Sequence, residues 1–324
     1  MGSATGRDLH VDNLLSQVAI NYRPDGMIAD QIAPVVSVQK ETDSYVVFNR
    51  GEYYAIENTA RSRGTEANRV TRSVSSSQYS AKNYALAYDT PIEDRANMDV
   101  AFQFELEAGA VRYLTDKLYL DWDKRALTTA KANVATTFLC GSSWTAATNQ
   151  GDPFSQVIQM LEQITATTGT RGNSIICGWR AYNWMRRATA MRNLINGTNN
   201  GGGIVTKQQL QDAFEVDRFL VAGGFYNPKN EAQTATFSNY FPQDAVLAYY
   251  APMAASREAP SFMYSFRWTA PELGTPMAAI RHNFDSRARV DGVEVQYYQD
   301  EKVTGSEYGV YLAGVGSAQA NGLT

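Results

Sequence analysis

The stretch Phe104-Glu105-Leu106-Glu107-Ala108-Gly109-Ala110-Val111-Arg112-Tyr113-Leu114-Thr115-Asp116-Lys117-Leu118-Tyr119-Leu120-Asp121-Trp122 decides the reading of this chain. Phe104, Ala108, Val111, Leu114, Leu118 and Trp122 recur at spacings of three and four, which is the period of one helix face. The opposite side carries Glu105, Glu107, Arg112, Asp116, Lys117, Asp121, Asp123, Lys124 and Arg125. With Asn97 as the cap, the pattern predicts one helix over residues 100–130. At 1.5 Å per residue it would be about 46 Å long, against ~11–12 residues for an ordinary globular helix. Such a helix backs a sheet or forms a spine. The carboxylate pairs Glu105/Glu107 and Asp121/Asp123 fall two apart, so they do not face each other and read as a solvated face rather than an acid–base pair.

Upstream, residues 45–88 read as a long two-stranded excursion, with one arm at 45–48 and the other from 70 to 88. The polar stretch between them holds Arg61, Arg63, Arg69 and Arg72 and almost no large apolar residue. An isolated hairpin of this length is marginal in water, so the excursion is expected to find its hydrophobic partner on another chain. Residues 1–45 read as an extended arm. It contains one short helix over 11–22, a turn at Arg23-Pro24-Asp25-Gly26, and a strand over 32–38 that Pro34 marks as an edge.

Downstream, 140–152 reads as a linker. Helices are predicted over 153–165, 179–189 and 207–214, the last capped by Thr206, and strands over 173–177, 218–222 and 245–250. Asn196 to Gly203, with Gly201, Gly202 and Gly203 in a row, is a glycine-rich loop. The tail returns to strands over 277–284, 293–298 and 308–313, and the first connection carries Arg287 and Arg289. The fold class is α+β.

The chain has 324 residues, 44% hydrophobic and 19% charged, which is ample for a buried core. Its 29 basic and 33 acidic residues leave a net charge of -4, against a nucleic-acid binder that works through bulk charge. No apolar run approaches the ~18 residues that span a bilayer, and the first residues lack the apolar core of a signal peptide; an intracellular, soluble product without membrane contact is expected. Cys140 and Cys177 lie far apart, and the two histidines, His10 and His282, stand alone, so neither a disulfide framework nor a zinc site is expected. The Gly201–Gly203 run has no following Gly-Lys-Ser/Thr, and no Gly-x-Ser-x-Gly elbow exists. No catalytic, cofactor-binding or metal-binding residue is therefore assigned, and an enzyme is not expected. Arg outnumbers Lys 21 to 8, and there are 19 Tyr. Interfaces favour Arg and Tyr and deplete Lys, so the surface looks built to meet other chains.

The order of arm, hairpin, long helix, α/β segment and closing strands resembles the major capsid proteins of tailed bacteriophages, of the Hong Kong ninety-seven type capsid fold shared with encapsulins. The stretches that carry the resemblance are Val11-Asp12-Asn13-Leu14-Leu15, Met27-Ile28-Ala29-Asp30-Gln31-Ile32-Ala33-Pro34-Val35 and Tyr84-Ala85-Leu86-Ala87-Tyr88-Asp89-Thr90-Pro91-Ile92. Further ones are Ile204-Val205-Thr206-Lys207-Gln208-Gln209-Leu210, Val216-Asp217-Arg218-Phe219-Leu220-Val221 and the closing strands. The resemblance implies an N-terminal arm (1–44), an E-loop (45–88), a peripheral domain with its spine helix (89–145), an axial domain (146–279), and return strands of the peripheral domain (280–324). It implies a structural protein that self-assembles into pentamers and hexamers of an icosahedral or prolate head around double-stranded DNA, without sequence-specific binding. No cofactor follows. The implied partners are further copies of the chain, a separate scaffolding protein, a portal and, as a further candidate, a decoration protein. The implied location is the virion, with assembly in the host cytoplasm. Some relatives lose an N-terminal scaffolding segment, but here the arm begins almost at Met1, which favours separate scaffolding. Some cross-link through an E-loop lysine, but none stands between Glu41 and Ala81. The subunit interface is expected at Arg61, Arg63, Arg69, Arg72, Asn196, Gly201, Gly202, Gly203, Arg287 and Arg289. The alternatives are an encapsulin-like compartment shell and an α/β hydrolase or transferase built on 146–279.

Overall fold

The computed structural model describes residues 10–22, 26–48, 56–70, 74–97, 100–145, 151–197, 203–228, 234, 236–253, 259–271, 273–285 and 290–316. In chain order the first elements are β1 (His10–Val11), α1 (Asn13–Asn21), α2 (Ala29–Ile32), β2 (Val35–Val38), β3 (Thr42–Phe48), β4 (Val74–Ser80), β5 (Lys82–Pro91), α3 (Ile92–Ala96) and α4 (Val100–Ala132). Next come β6 (Thr136–Leu139), α5 (Pro153–Thr168), β7 (Ser174–Gly178), α6 (Trp179–Arg187), α7 (Thr189–Asn196), α8 (Lys207–Phe214) and β8 (Arg218–Ala222). The chain closes with β9 (Phe225–Tyr226), β10 (Ser238–Asn239), β11 (Val246–Tyr249), β12 (Met263–Trp268), β13 (Ala278–Asp285), β14 (Val290–Val303) and β15 (Gly309–Ala313).

The predicted long helix is α4, 33 residues in one piece. It lies across two sheets, and its apolar stripe changes partner half-way. Val111, Leu114 and Leu118 pack with Leu15 and Ala19 of α1 and with Ala279, Val293, Val295 and Tyr297 of the first sheet. Trp122, Ala126, Leu127 and Ala130 pack with Ile176, Leu220, Leu247, Tyr249 and Tyr311 of the second.

The first sheet is organised by β14. β5 runs antiparallel along one of its edges, from Val290↔Pro91 to Gln299↔Lys82. β13 and β12 follow each other along the opposite edge, β13 pairing with the Val290–Gln296 half and β12 with the Tyr298–Val303 half. β2 extends β12 in parallel, and β1 extends β13. Alternation along β14 buries Val293, Val295, Tyr297, Gln299 and Glu301 on one side. The buried row thus turns from apolar to polar toward its C-terminal end.

The second sheet has the order β6-β15-β11-β7-β8. Every residue of β7 and β11 is buried, because both faces are covered. Ile175, Cys177, Val246 and Ala248 face helices α5 to α8 through Val157, Met160, Met185, Leu210 and Phe214. Their alternates face α4. α8 begins with a capping box, Thr206 with Gln209.

Several expectations are revised. The N-terminal segment is integrated rather than extended, with β1 joining the first sheet and α1 and α2 packing on α4. α1 buries Leu15, Ser16 and Ala19, while Leu14 is exposed. The helix expected over 179–189 ends at Arg187. Ala188 takes an extended conformation and α7 starts afresh, so one predicted helix is two. The second arm of the hairpin is also two strands, with β4 paired to β3 and β5 paired to β14. Strand 309–313, expected among the return strands of the peripheral domain, pairs with β11 in the second sheet, and β12 from the axial stretch joins the first. Among the described residues, no helix is long and apolar enough to cross a membrane.

Candidate functional site

The hairpin of β3 and β4 keeps its base on its own chain and lets its outer part go. At the base, Tyr45 and Tyr79 stack on Phe266 at 5.2 and 4.7 Å between centroids, within a cluster with Val36, Val38 and Tyr264. The Tyr79 hydroxyl donates to the Lys40 carbonyl (3.2 Å), and the Ser80 amide donates to Asp300 Oδ2 (2.8 Å). The antiparallel register runs from Thr42↔Ser80 to Phe48↔Val74. Beyond it, every residue from 56 to 70 is exposed and in no strand or helix, and Ile56 is 100% exposed. That stretch contacts itself: Asn68 Nδ2 donates to the Asn58 carbonyl (2.6 Å), and Thr65 closes a turn on Ser62 across Gly64 at φ 80. Hence, among the described residues, the own-chain apolar partner exists at the root, and the run 56–70 has none.

The root is held by a buried polar network between α4 and the polar end of β14. Arg125 donates to both carboxylate oxygens of Glu301, Nη2 to Oε1 at 2.9 Å and Nε to Oε2 at 3.4 Å. It also bonds Asp121 and the Tyr297 hydroxyl, and its guanidinium lies 3.5 Å from the centroid of Tyr84 on β5. Burial works against the charge of Arg125, but Glu301 and Tyr297 more than reverse it and hold the pKa above its ordinary value. Burial pushes Tyr297 up to about 12. Gln299 bridges onward: its amide donates to Glu301 (2.8 Å) and its oxygen accepts from Arg267. Among the described residues, Arg267 has no carboxylate as a hydrogen-bond partner, and it lies over the rings of Trp122 and Tyr297 at 5.0 and 5.3 Å; burial lowers its pKa.

Two residues before Arg125 on α4, Asp123 is fully buried. Its Oδ1 accepts from the Ile28 amide (3.0 Å) and its Oδ2 from the Tyr240 hydroxyl (2.6 Å). One carboxylate thereby ties the N-terminal segment and the second sheet's side of the molecule to α4. A side chain at Gly224 would run into the same Tyr240 hydroxyl. Burial raises the Asp123 carboxyl above its ordinary value, offset in part by these hydrogen bonds. A third clamp sits on β13, where Arg281 forms an ion pair with Asp12 Oδ2 (2.8 Å) and donates a hydrogen bond from Nη2 to Glu107 Oε2 (2.7 Å). Glu107 and Arg281 line a small open pocket with Thr90, His282 and Asp291, and no group of His, Cys, Asp and Glu among the described residues could hold a metal ion. The arrangement does mechanical work: it fixes where a long, unsupported loop leaves the body.

Comparison with known proteins bears on that geometry. The sequence profile of the family "Phage major capsid protein E" matches residues 108–260. The major capsid protein of Burkholderia phage BcepMu is 25% identical over 282 residues, covering 84% of this chain and 86% of that protein. In sequence the chain is therefore similar to phage major capsid proteins over most of its length. The fold agrees. A phage-related protein from Bordetella bronchiseptica RB50 superposes with a TM-score of 0.74 at 20% identity, covering 95% of this chain and 98% of that one. The capsid of cyanophage P-SCSP1u superposes at 0.56 with 11% identity, over 90% and 88%. The chain is α+β as expected, and phage heads are favoured over a cellular compartment shell.

Of the expected interface residues, Arg61, Arg63 and Arg69 lie in the exposed run 56–70. Arg69 forms an ion pair with Glu66 (3.5 Å) in which both side chains are over four-fifths exposed, and Arg61 and Arg63 have no ion pair among the described residues. Asn196 is the last residue of α7, Gly197 follows at φ 67 as its left-handed cap, and Gly203 is exposed. Arg72, Gly201, Gly202, Arg287 and Arg289 lie outside the described residues. The solvated face expected for α4 needs correction at two points: Asp123 is buried, and Glu107 pairs with Arg281. Sequence reasoning missed the junction of Arg125, Glu301, Gln299 and Arg267. The usable signal was the polar pair Gln299 and Glu301 continuing the alternation of Val293, Val295 and Tyr297.

Proposed function

We propose that the chain assembles as pentamers and hexamers into an icosahedral or prolate head that encloses double-stranded DNA, with the loop around residues 56–70 reaching over a neighbouring copy. What carries this reading is that run of wholly exposed residues, with Ile56 and Val70 among them, projecting from a root that is rigidly packed. Burying Ile56 on a neighbour would contribute about 1.5–3 kcal/mol per copy, and the gain repeats around a closed shell. Arg61, Arg63, Arg69 and Arg72 take carboxylates of that neighbour, Arg287 and Arg289 contribute to the same class of contact, and the Asn196–Gly203 loop meets its own copies at the five- and six-fold axes. The net charge of -4 suits a shell that encloses DNA without clamping it or reading its sequence. Scaffolding is a separate protein, a portal and a decoration protein complete the head, and assembly takes place in the host cytoplasm. The role is structural rather than catalytic.

Electron micrographs of the purified protein, alone and with its scaffold, test this. Closed particles are expected; a monomer at all concentrations contradicts it. Replacing Arg61, Arg63, Arg69 and Arg72 together by Ala should leave the circular dichroism spectrum unchanged and impair particle formation. Particles at wild-type yield would remove these arginines from the interface. No lysine stands between Glu41 and Ala81, so boiled particles in detergent should run as one band at the monomer mass, and a ladder would show a covalent link.

A further inference from the structure

The short hairpin of β9 and β10 pairs Phe225 with Asn239 and Tyr226 with Ser238, and continues to the Thr236 amide, which donates to Asn227 Oδ1 (3.3 Å). Side chains alternate across such a pair. Tyr226 and Ser238 share one face, and Tyr226 holds it to the body through Lys124 of α4, whose Nζ is 4.1 Å from the ring centroid. Phe225 and Phe237 fall on the other face, 52% and 75% exposed.

An open cleft of about 460 Å³ lies on α5, lined by Ile158, Leu161, Glu162, Thr165, Ala166 and Arg171. Its floor is apolar, and the Arg171 guanidinium at its rim, paired with Glu215 at 2.9 Å, offers a cation to an aromatic face. The hairpin is rooted on the α4 side of the second sheet, where Tyr226 and Tyr240 pack, and α5 covers the opposite side. A ring in which each copy is related to the next by one rotation joins a surface to a different surface, never to itself. An apolar knob and an apolar cleft on opposite sides of one sheet meet that requirement, and buried aromatics are the residues that dominate such contacts.

We propose that Phe225 and Phe237 of one copy seat in the α5 cleft of the next copy around each ring. This rests on the shell reading given above. The test uses the full chain carrying Thr236→Cys and Ala166→Cys, which keeps both phenylalanines; both positions are exposed, and the native Cys140 and Cys177 are buried. Assembled particles treated with a short bismaleimide should give a denatured ladder that ends at five or six chains, and a mixture of the two single variants should stop at dimers. Phe225→Ser with Phe237→Ser should keep the subunit folded and lower particle yield at least tenfold. Particles from the double-cysteine chain that yield only monomers, or serine-variant particles at full yield, overturn the docking alone. Wild-type protein that never forms rings or shells overturns the shell reading and the docking with it.

Discussion

Glu301→Ala is expected to destabilise the unassembled subunit by about 3 kcal/mol, the lower end of the ~3–5 kcal/mol range for breaking one side of a buried ion pair. The Glu301 side chain is 6% exposed and that of Arg125 20%. Removal leaves the Arg125 guanidinium facing Tyr297 and Tyr84 with one remaining carboxylate, the half-exposed Asp121, which is why the lower end applies. It also leaves the Gln299 amide without its acceptor. Arg125→Met combined with Glu301→Leu should recover most of the loss, because it removes both charges and fills the space. Urea titration of the three proteins measures this. A loss below about 1 kcal/mol for Glu301→Ala, the scale of a surface pair, would show that the junction is not what holds the loop root.

Asp123→Ala should cost about 2–4 kcal/mol, since it orphans the buried Ile28 amide and Tyr240 hydroxyl at ~1–3 kcal/mol each. Asp123→Asn keeps an acceptor and should cost less. The pH dependence has a definite sign. Burial raises the carboxyl above its ordinary 3.8, so folding favours the protonated form. That contribution is complete below the unfolded value and is lost as pH rises through the raised folded value. The groups around it are the Tyr240 hydroxyl, the Ile28 and Ala29 amides and the carboxylate of Asp30, which adds to the upward shift. Relative to Asp123→Asn, the wild type should therefore lose stability between acid pH and pH 8. A wild-type advantage that grows with pH would mean that the ionised carboxylate is favoured at this position.

Local signals in the sequence translate directly into structure. The three-and-four spacing from Ala108 to Trp122 is the buried stripe of α4, and Thr206 with Gln209 is the capping box of α8. Where neighbours decide, sequence reading fails. Asp123 looks like one more charge on a solvated face, because nothing nearby in the chain announces that Ile28 and Tyr240 will close over it. The break at Ala188 is invisible because both flanks are good helix formers. β9 and β10 are two residues each, too short for any periodic signal, so the exposed Phe225 and Phe237 went unnoticed. The hairpin from 42 to 80 was legible as an excursion, but the aromatic anchor at its base depends on Phe266, far away in sequence. Its free outer run was legible because fifteen residues with so little apolar content cannot build a core of their own.

The central claim is that this protein closes a shell by laying the run 56–70 on a neighbouring copy. A cryo-electron-microscopy reconstruction of assembled particles tests it most directly. The account predicts density for residues 56–70 against an adjacent subunit, with Ile56 buried there and the Arg125–Glu301 junction intact at the root of every copy. A closed particle in which 56–70 folds back on its own chain, or stands free of all neighbours, would contradict it.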